Sequence, residues 1–61
     1  MTGKIKFYLE DKNYGFITQE DGKDIYFQKR DCLEIVQRDD SVIFDVAENI
    51  KGNYAFNIKK V

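Results

Sequence analysis

The constraint that narrows the fold most is the tetrapeptide Glu20-Asp21-Gly22-Lys23, set between two short runs of β-type residues. Gly22 accepts a positive φ without steric cost, so this stretch reads as a hairpin turn. The flanking runs, residues 14–19 and 24–28, then become antiparallel neighbours. Three further runs of the same kind complete the chain. Residues 4–9 precede a polar turn of Glu10, Asp11, Lys12 and Asn13. Residues 41–47 alternate, with Val42, Phe44 and Val46 on one face and Ile43 and Asp45 on the other. Residues 54–59 place Tyr54, Phe56 and Ile58 on one face. The segment 29–40 is less regular and accommodates either a single helical turn or a loop.

Five short strands in 61 residues leave few architectures. An open sheet exposes two edges, whereas a small closed barrel hides most of both. The expectation is one all-β domain over residues 1–61, either an OB-type or an SH3-like barrel. Its expected core is Ile5, Ile17, Ile25, Phe27, Val42, Phe44, Val46, Phe56 and Ile58. A domain of this size buries only about 60% of the surface its unfolded chain exposes. A surface site is therefore expected in place of a deep pocket.

Several function classes lose support at once. The chain has no His, which removes the usual acid–base residue near neutral pH. With no His, one Cys and acids scattered through turns, it offers no metal set, and no cofactor is expected. An enzyme is not expected. Cys32, beside Leu33 and Ile35, reads as a buried structural thiol in a reducing compartment. No apolar run approaches a membrane span or resembles a signal peptide, so the expected location is the cytoplasm. Ten basic and eleven acidic residues give a net charge of −1, so any nucleic-acid footprint must lie in the distribution of charge and not in its sum.

The informative segment is Lys12-Asn13-Tyr14-Gly15-Phe16-Ile17. Strand side chains alternate faces. With Ile17 inward, Tyr14 and Phe16 face outward. Across the hairpin, Ile25 and Phe27 inward leave Tyr26 outward. Three rings then share one surface patch, with Gln28 two residues beyond Tyr26 on the same face. Lys4, Lys6 and Lys12 lie on or just after the first strand, and Lys29 and Arg30 follow the third. Rings flanked by cations suit single-stranded nucleic acid, where each stacked base contributes roughly 1–3 kcal/mol. Such rings also stabilise sheets by cross-strand packing, and the lysines also suit a merely solvated face. Gly15 permits close approach by a neighbouring strand or a ligand.

The runs Gly3-Lys4-Ile5-Lys6-Phe7-Tyr8, Lys12-Asn13-Tyr14-Gly15-Phe16-Ile17 and Asp24-Ile25-Tyr26-Phe27 resemble the cold-shock domain in order and spacing. Gly52-Asn53-Tyr54-Ala55-Phe56-Asn57-Ile58 continues the resemblance. It implies a small five-stranded antiparallel OB-fold barrel. It also implies binding of single-stranded RNA or DNA on an aromatic platform, with low sequence specificity and RNA-chaperone-like activity. The implied interface comprises Lys6, Phe7, Lys12, Tyr14, Phe16, Asp24, Tyr26, Gln28, Lys29, Lys51 and Tyr54. A monomer is expected, with a strand-exchanged dimer as the alternative.

The chain departs from the family at Gln28, where the family carries a stacking His, and at Lys29, where it carries an aromatic. An amide at 28 can hydrogen-bond a base edge but offers no ring. Asn13, Asp39 and Asn49 stand at family glycines, and Asn and Asp tolerate left-handed conformations. These losses favour an alternative reading, a protein-interaction barrel with weakened nucleic-acid binding. One geometric conflict stands out. Strict alternation puts Ile5 and Phe7 on one face, yet the resemblance needs Ile5 inward and Phe7 outward. A bulge or sharp bend between them is required.

Overall fold

Alternating apolar residues and the Asp21-Gly22 turn generate the expected barrel. A computed structural model describes Met1–Val61. Its strands are β1 (Thr2–Leu9), β2 (Tyr14–Gln19), β3 (Asp24–Gln28), β4 (Ser41–Asn49) and β5 (Gly52–Lys60), with a 3-10 turn at Lys29–Asp31. They close in the order β1-β2-β3-β5-β4, with β4 pairing back onto β1. The pairing is antiparallel except between β3 and β5, which run parallel through Tyr26–Tyr54 and Phe27–Ala55. The expected all-antiparallel barrel is corrected at that one seam. No helix is long and apolar enough to cross a membrane.

The turns carry the geometry that their residues suggest. Gly22 has φ +87°, and the Lys23 amide donates to Asp21 Oδ1 at 3.0 Å. Asn13 and Asp39 adopt left-handed φ values of 60° and 72°. Asn49 does not; in the β4–β5 turn the positive φ, 122°, falls on Gly52.

Ile5, Ile17, Ile25, Phe27, Val42, Phe44 and Ile58 fill the core as expected. Val46 and Phe56 do not, and Val36 and Ala55 take their places. Phe56 is displaced by a bulge. Between Ile43 and Asp45 on β4, β5 advances from Lys59 to Phe56, one residue too many. The extra residue is Asn57, at φ 52°. It resets the alternation so that Ile58 and Ala55 both point inward and Phe56 points out. Val46 sits opposite Ala55, but β1 covers β4 only at Ser41–Ile43. Beyond that cover Val46 is 38% exposed.

The irregular segment packs against one end of the barrel. Val36 is buried, the Asp39 amide donates to Ile5 O at 2.8 Å, and the Leu33 amide donates to Ile58 O at 2.7 Å. Leu33 and Ile35 are exposed, so they do not bury Cys32 as expected. Cys32 is half-buried, with its thiol 3.8 Å from Gln28 O. Burial, and secondarily the Asp31 carboxylate, push its pKa up from 9.0 to about 11.

Candidate nucleic-acid interface

The outer faces of β1, β2 and β3 form the candidate site, and a bulge on β1 completes it. From Ile5 to Phe7 β1 advances two residues while β2 advances only from Ile17 to Phe16. Lys6 is the extra residue. Ile5 therefore stays in the core while Phe7 turns outward opposite Phe16, resolving the conflict as anticipated. The same shift turns Tyr8 inward, where its ring stacks on Phe27 at 6.0 Å.

Gly15 holds β1 and β2 together here. A Cβ at this position would lie 2.2 Å from the Phe7 carbonyl oxygen and 2.9 Å from Phe27 Cζ. The neighbour that needs its missing side chain is thus the adjacent strand and the core ring beneath.

The β2–β3 register lays out three outward pairs: Tyr14 with Gln28, Phe16 with Tyr26, and Thr18 with Asp24. Four half-exposed rings form one connected patch. Phe16 is its centre, with centroids 5.5 Å from Phe7, 6.5 Å from Tyr14 and 5.8 Å from Tyr26. Tyr14 and Tyr26 are 5.7 Å apart. Tilted and edge-on rings at these distances favour one another, and they leave ring area open to solvent.

The polar residues divide between the ends of this patch. At one end Lys6 Nζ lies 2.7 Å from Asp24 Oδ2, and Thr18 Oγ1 donates to Asp24 Oδ1 at 3.0 Å. The hydrogen bond from Lys6, followed by that from Thr18, lowers the Asp24 pKa below 3.8. At the other end a depression is lined by Lys12, Lys29 and Arg30 together with Tyr26 and Gln28, and no carboxylate lines it. The Lys29 amide donates to Asn13 O at 2.9 Å, fixing the 3-10 turn beside the β1–β2 loop. Lys51 and Tyr54 border a second, wider depression on the far side of Tyr26.

The eleven expected residues therefore do not form a single cluster. Phe7, Tyr14, Phe16, Tyr26 and Gln28 share the patch. Lys6 and Asp24 are partners of each other at one edge, Lys12 and Lys29 stand at the opposite edge, and Lys51 and Tyr54 extend the surface onto β5 and the turn before it. Phe56 was missed. It lies on the outer side of β5, 6.2 Å from Tyr54. Its signal was Asn57, a residue type suited to a left-handed bulge position.

Comparison with known proteins agrees with this architecture. The family profile of the 'Cold-shock' DNA-binding domain matches residues 1–61. The cold shock-like protein of Aquifex aeolicus is 37% identical over 62 positions, which cover 93% of this chain and 89% of the relative. The cold shock-like protein CspA of Rickettsia typhi is 36% identical over 64 positions, covering 97% of this chain and 91% of the relative. The cold shock-like protein CspC of Bacillus cereus is 29% identical over the full length of both chains. With its profile matched from end to end and its barrel built around an outward aromatic patch, the chain belongs to the cold-shock DNA-binding domain family.

Proposed function

We propose that this chain binds single-stranded RNA or DNA by stacking bases on the patch of Phe7, Tyr14, Phe16 and Tyr26. The observation that carries the reading is the outward turn of Phe7. A bulge exposes a large apolar ring that strict alternation would have buried, and it joins three other rings in one patch. Four half-exposed rings gathered in one patch of such a small domain suit a partner, and every base has a π-face to offer them. The cations Lys12, Lys29 and Arg30, unopposed by acids at one end, supply phosphate contacts. Little base preference follows, because stacking is tolerant of sequence. Transient, sequence-tolerant binding of this kind suits RNA-chaperone-like work on unpaired strands.

The test is an anisotropy titration of labelled oligo-dT and oligo-U at several salt concentrations. The expected result is saturable binding to both, weakening as salt rises with a slope of about −0.7 per phosphate contact. Absence of binding at low salt would refute the reading.

A further inference from the structure

We propose that Gln28 reads the edge of a base held on the adjoining tyrosines, so that this end of the platform recognises hydrogen bonds as well as a flat face. The inference rests on the reading of this surface as a nucleic-acid platform. The strand register sets Gln28 opposite Tyr14 and two residues beyond Tyr26, on the outer face with both rings. Gln28 Nε2 donates to Tyr26 Oη at 3.0 Å. That bond fixes the carboxamide before any ligand arrives, so less rotamer freedom is lost on binding. The bond uses one of the two N–H groups. The second N–H and Oε1 have no protein partner.

The position of the amide matters as much as its freedom. Gln28 and Tyr26 line both depressions, the one containing Lys12 and Lys29 and the one containing Phe16 and Tyr54. A strand passing from one to the other crosses this pair. A base stacked there presents its rim to the half-buried carboxamide. An amide places a donor beside an acceptor. The Watson–Crick edge of every base likewise carries a donor next to an acceptor, and unstacked bases are commonly read on that edge. The subsite therefore tolerates any base and rejects a blocked edge.

Thymine methylated at N3 isolates this property. It keeps its π-face and both carbonyls but loses the N–H that would meet Oε1. Binding of oligo-dT and of the same strand built from N3-methylthymidine is measured for the wild type, Gln28→Ala and Phe16→Ala. One neutral hydrogen bond corresponds to about a threefold to tenfold change in Kd. The wild type is expected to prefer the unmodified strand by that factor. Gln28→Ala is expected to bind both strands equally, at about the level of the wild type on the methylated strand. Phe16→Ala is expected to weaken both while keeping the wild-type ratio. A wild-type ratio near one, or a Gln28→Ala ratio equal to that of the wild type, overturns the role of Gln28 and leaves the platform standing. Failure of the wild type to bind oligo-dT at all overturns the platform and this inference together.

Discussion

Lys6 on β1 reaches across β2 to Asp24 on β3, with Nζ 2.7 Å from Oδ2. A lysine that the family resemblance places in the interface is thus already paired with a carboxylate at the edge of the patch. The pair lies at the surface, with its side chains 53% and 35% exposed, so it does little for folding. Its consequence is electrostatic. It leaves the cations of the platform concentrated at the opposite end, around Lys12, Lys29 and Arg30.

Asp24→Asn should therefore strengthen oligonucleotide binding. The substitution removes a negative charge beside the rings and releases Lys6 to meet a phosphate. One added phosphate contact steepens the dependence of log K on log salt by about 0.7 for a single strand. Titrations of the parent and the variant at three or more salt concentrations measure both effects. Weaker binding by the variant would show that the Asp24 carboxylate itself accepts a hydrogen bond from the ligand.

The same pair sets an acid response. Lys6, and then Thr18, hold the folded-state pKa of Asp24 below its ordinary value of 3.8. A depressed carboxylate pKa contributes stability that is present above the unfolded value and lost as pH falls through the folded one. An NMR titration of the Asp24 side-chain carboxyl should have its midpoint below 3.8. In Lys6→Gln the midpoint should move upward, because the leading cause of the depression is gone. An unchanged midpoint would mean that the ion pair does not persist in solution.

Stacking should outweigh charge in setting affinity. Phe16→Ala or Tyr26→Ala is expected to cost roughly 1–3 kcal/mol of oligo-dT binding. Lys12→Gln should cost less and flatten the salt slope by about 0.7. Each removed ring also gives up cross-strand contacts of about 0.2–1 kcal/mol apiece, so these variants should melt somewhat lower but remain folded. Circular dichroism alongside the titrations separates the two losses. Alanine variants that bind as tightly as the parent would place the ligand on another face.

The legible and illegible parts of this chain differ for a physical reason. The β1 bulge could be inferred because two demands met two residues apart: Ile5 had to be inward and Phe7 outward, whereas strict alternation puts both on one face. On β5 no such conflict was visible. Tyr54, Phe56 and Ile58 form an unbroken alternation that suits a core face. Only the positive φ at Asn57, a tertiary consequence of closing β5 onto β4 and β3, splits that set. Ala55 carries only a single methyl and so little hydrophobic signal, yet it is fully buried at the parallel seam with β3. Val36 was hidden inside a charged, aperiodic segment whose place is fixed by backbone bonds to Ile5 and Ile58. The outward aromatic patch on β1–β3 was readable because local alternation and one hairpin determine it. The pairing of Lys6 with Asp24 was not, because it joins strands that are not neighbours.

Gly15→Ala should destabilise the barrel without touching the exposed rings. Its new Cβ would meet a backbone oxygen at 2.2 Å, and a carbonyl within a paired strand cannot rotate away. Overpacking of this kind costs typically about 1–3 kcal/mol, and the severe overlap argues for the upper part of that range. In a domain of this size each kcal/mol lowers Tm by roughly 4–8 °C. A thermal melt of Gly15→Ala should therefore fall well below that of the parent. An unchanged Tm would mean that β1 and β2 are not as close at Phe7 as the structure places them.

Phe56 provides the sharpest contrast between the residue as read and the residue as folded. A Phe in the core should cost about 3–5 kcal/mol on truncation to alanine, against a total stability of about 3–9 kcal/mol for a chain of this length. Phe27 is fully buried, so Phe27→Ala should be largely unfolded at room temperature or close to it. Phe56 is only partly buried and lies beside Tyr54 on the outside of β5, so Phe56→Ala should remain folded with a modest loss of Tm. Its effect should appear in binding. Tyr54 stands level with Tyr26 across the parallel seam, so on the proposed reading the Tyr54–Phe56 pair would be the next stacking step for a strand leaving β3. A short strand of about four nucleotides, near the lower limit for an OB fold, fits on the β1–β3 rings alone and should bind Phe56→Ala as well as the parent. A strand of about eight should reach β5 and lose up to roughly 1–3 kcal/mol. Equal losses for both lengths would mean that Phe56 acts through the fold, and no loss for either would end the platform at Tyr26.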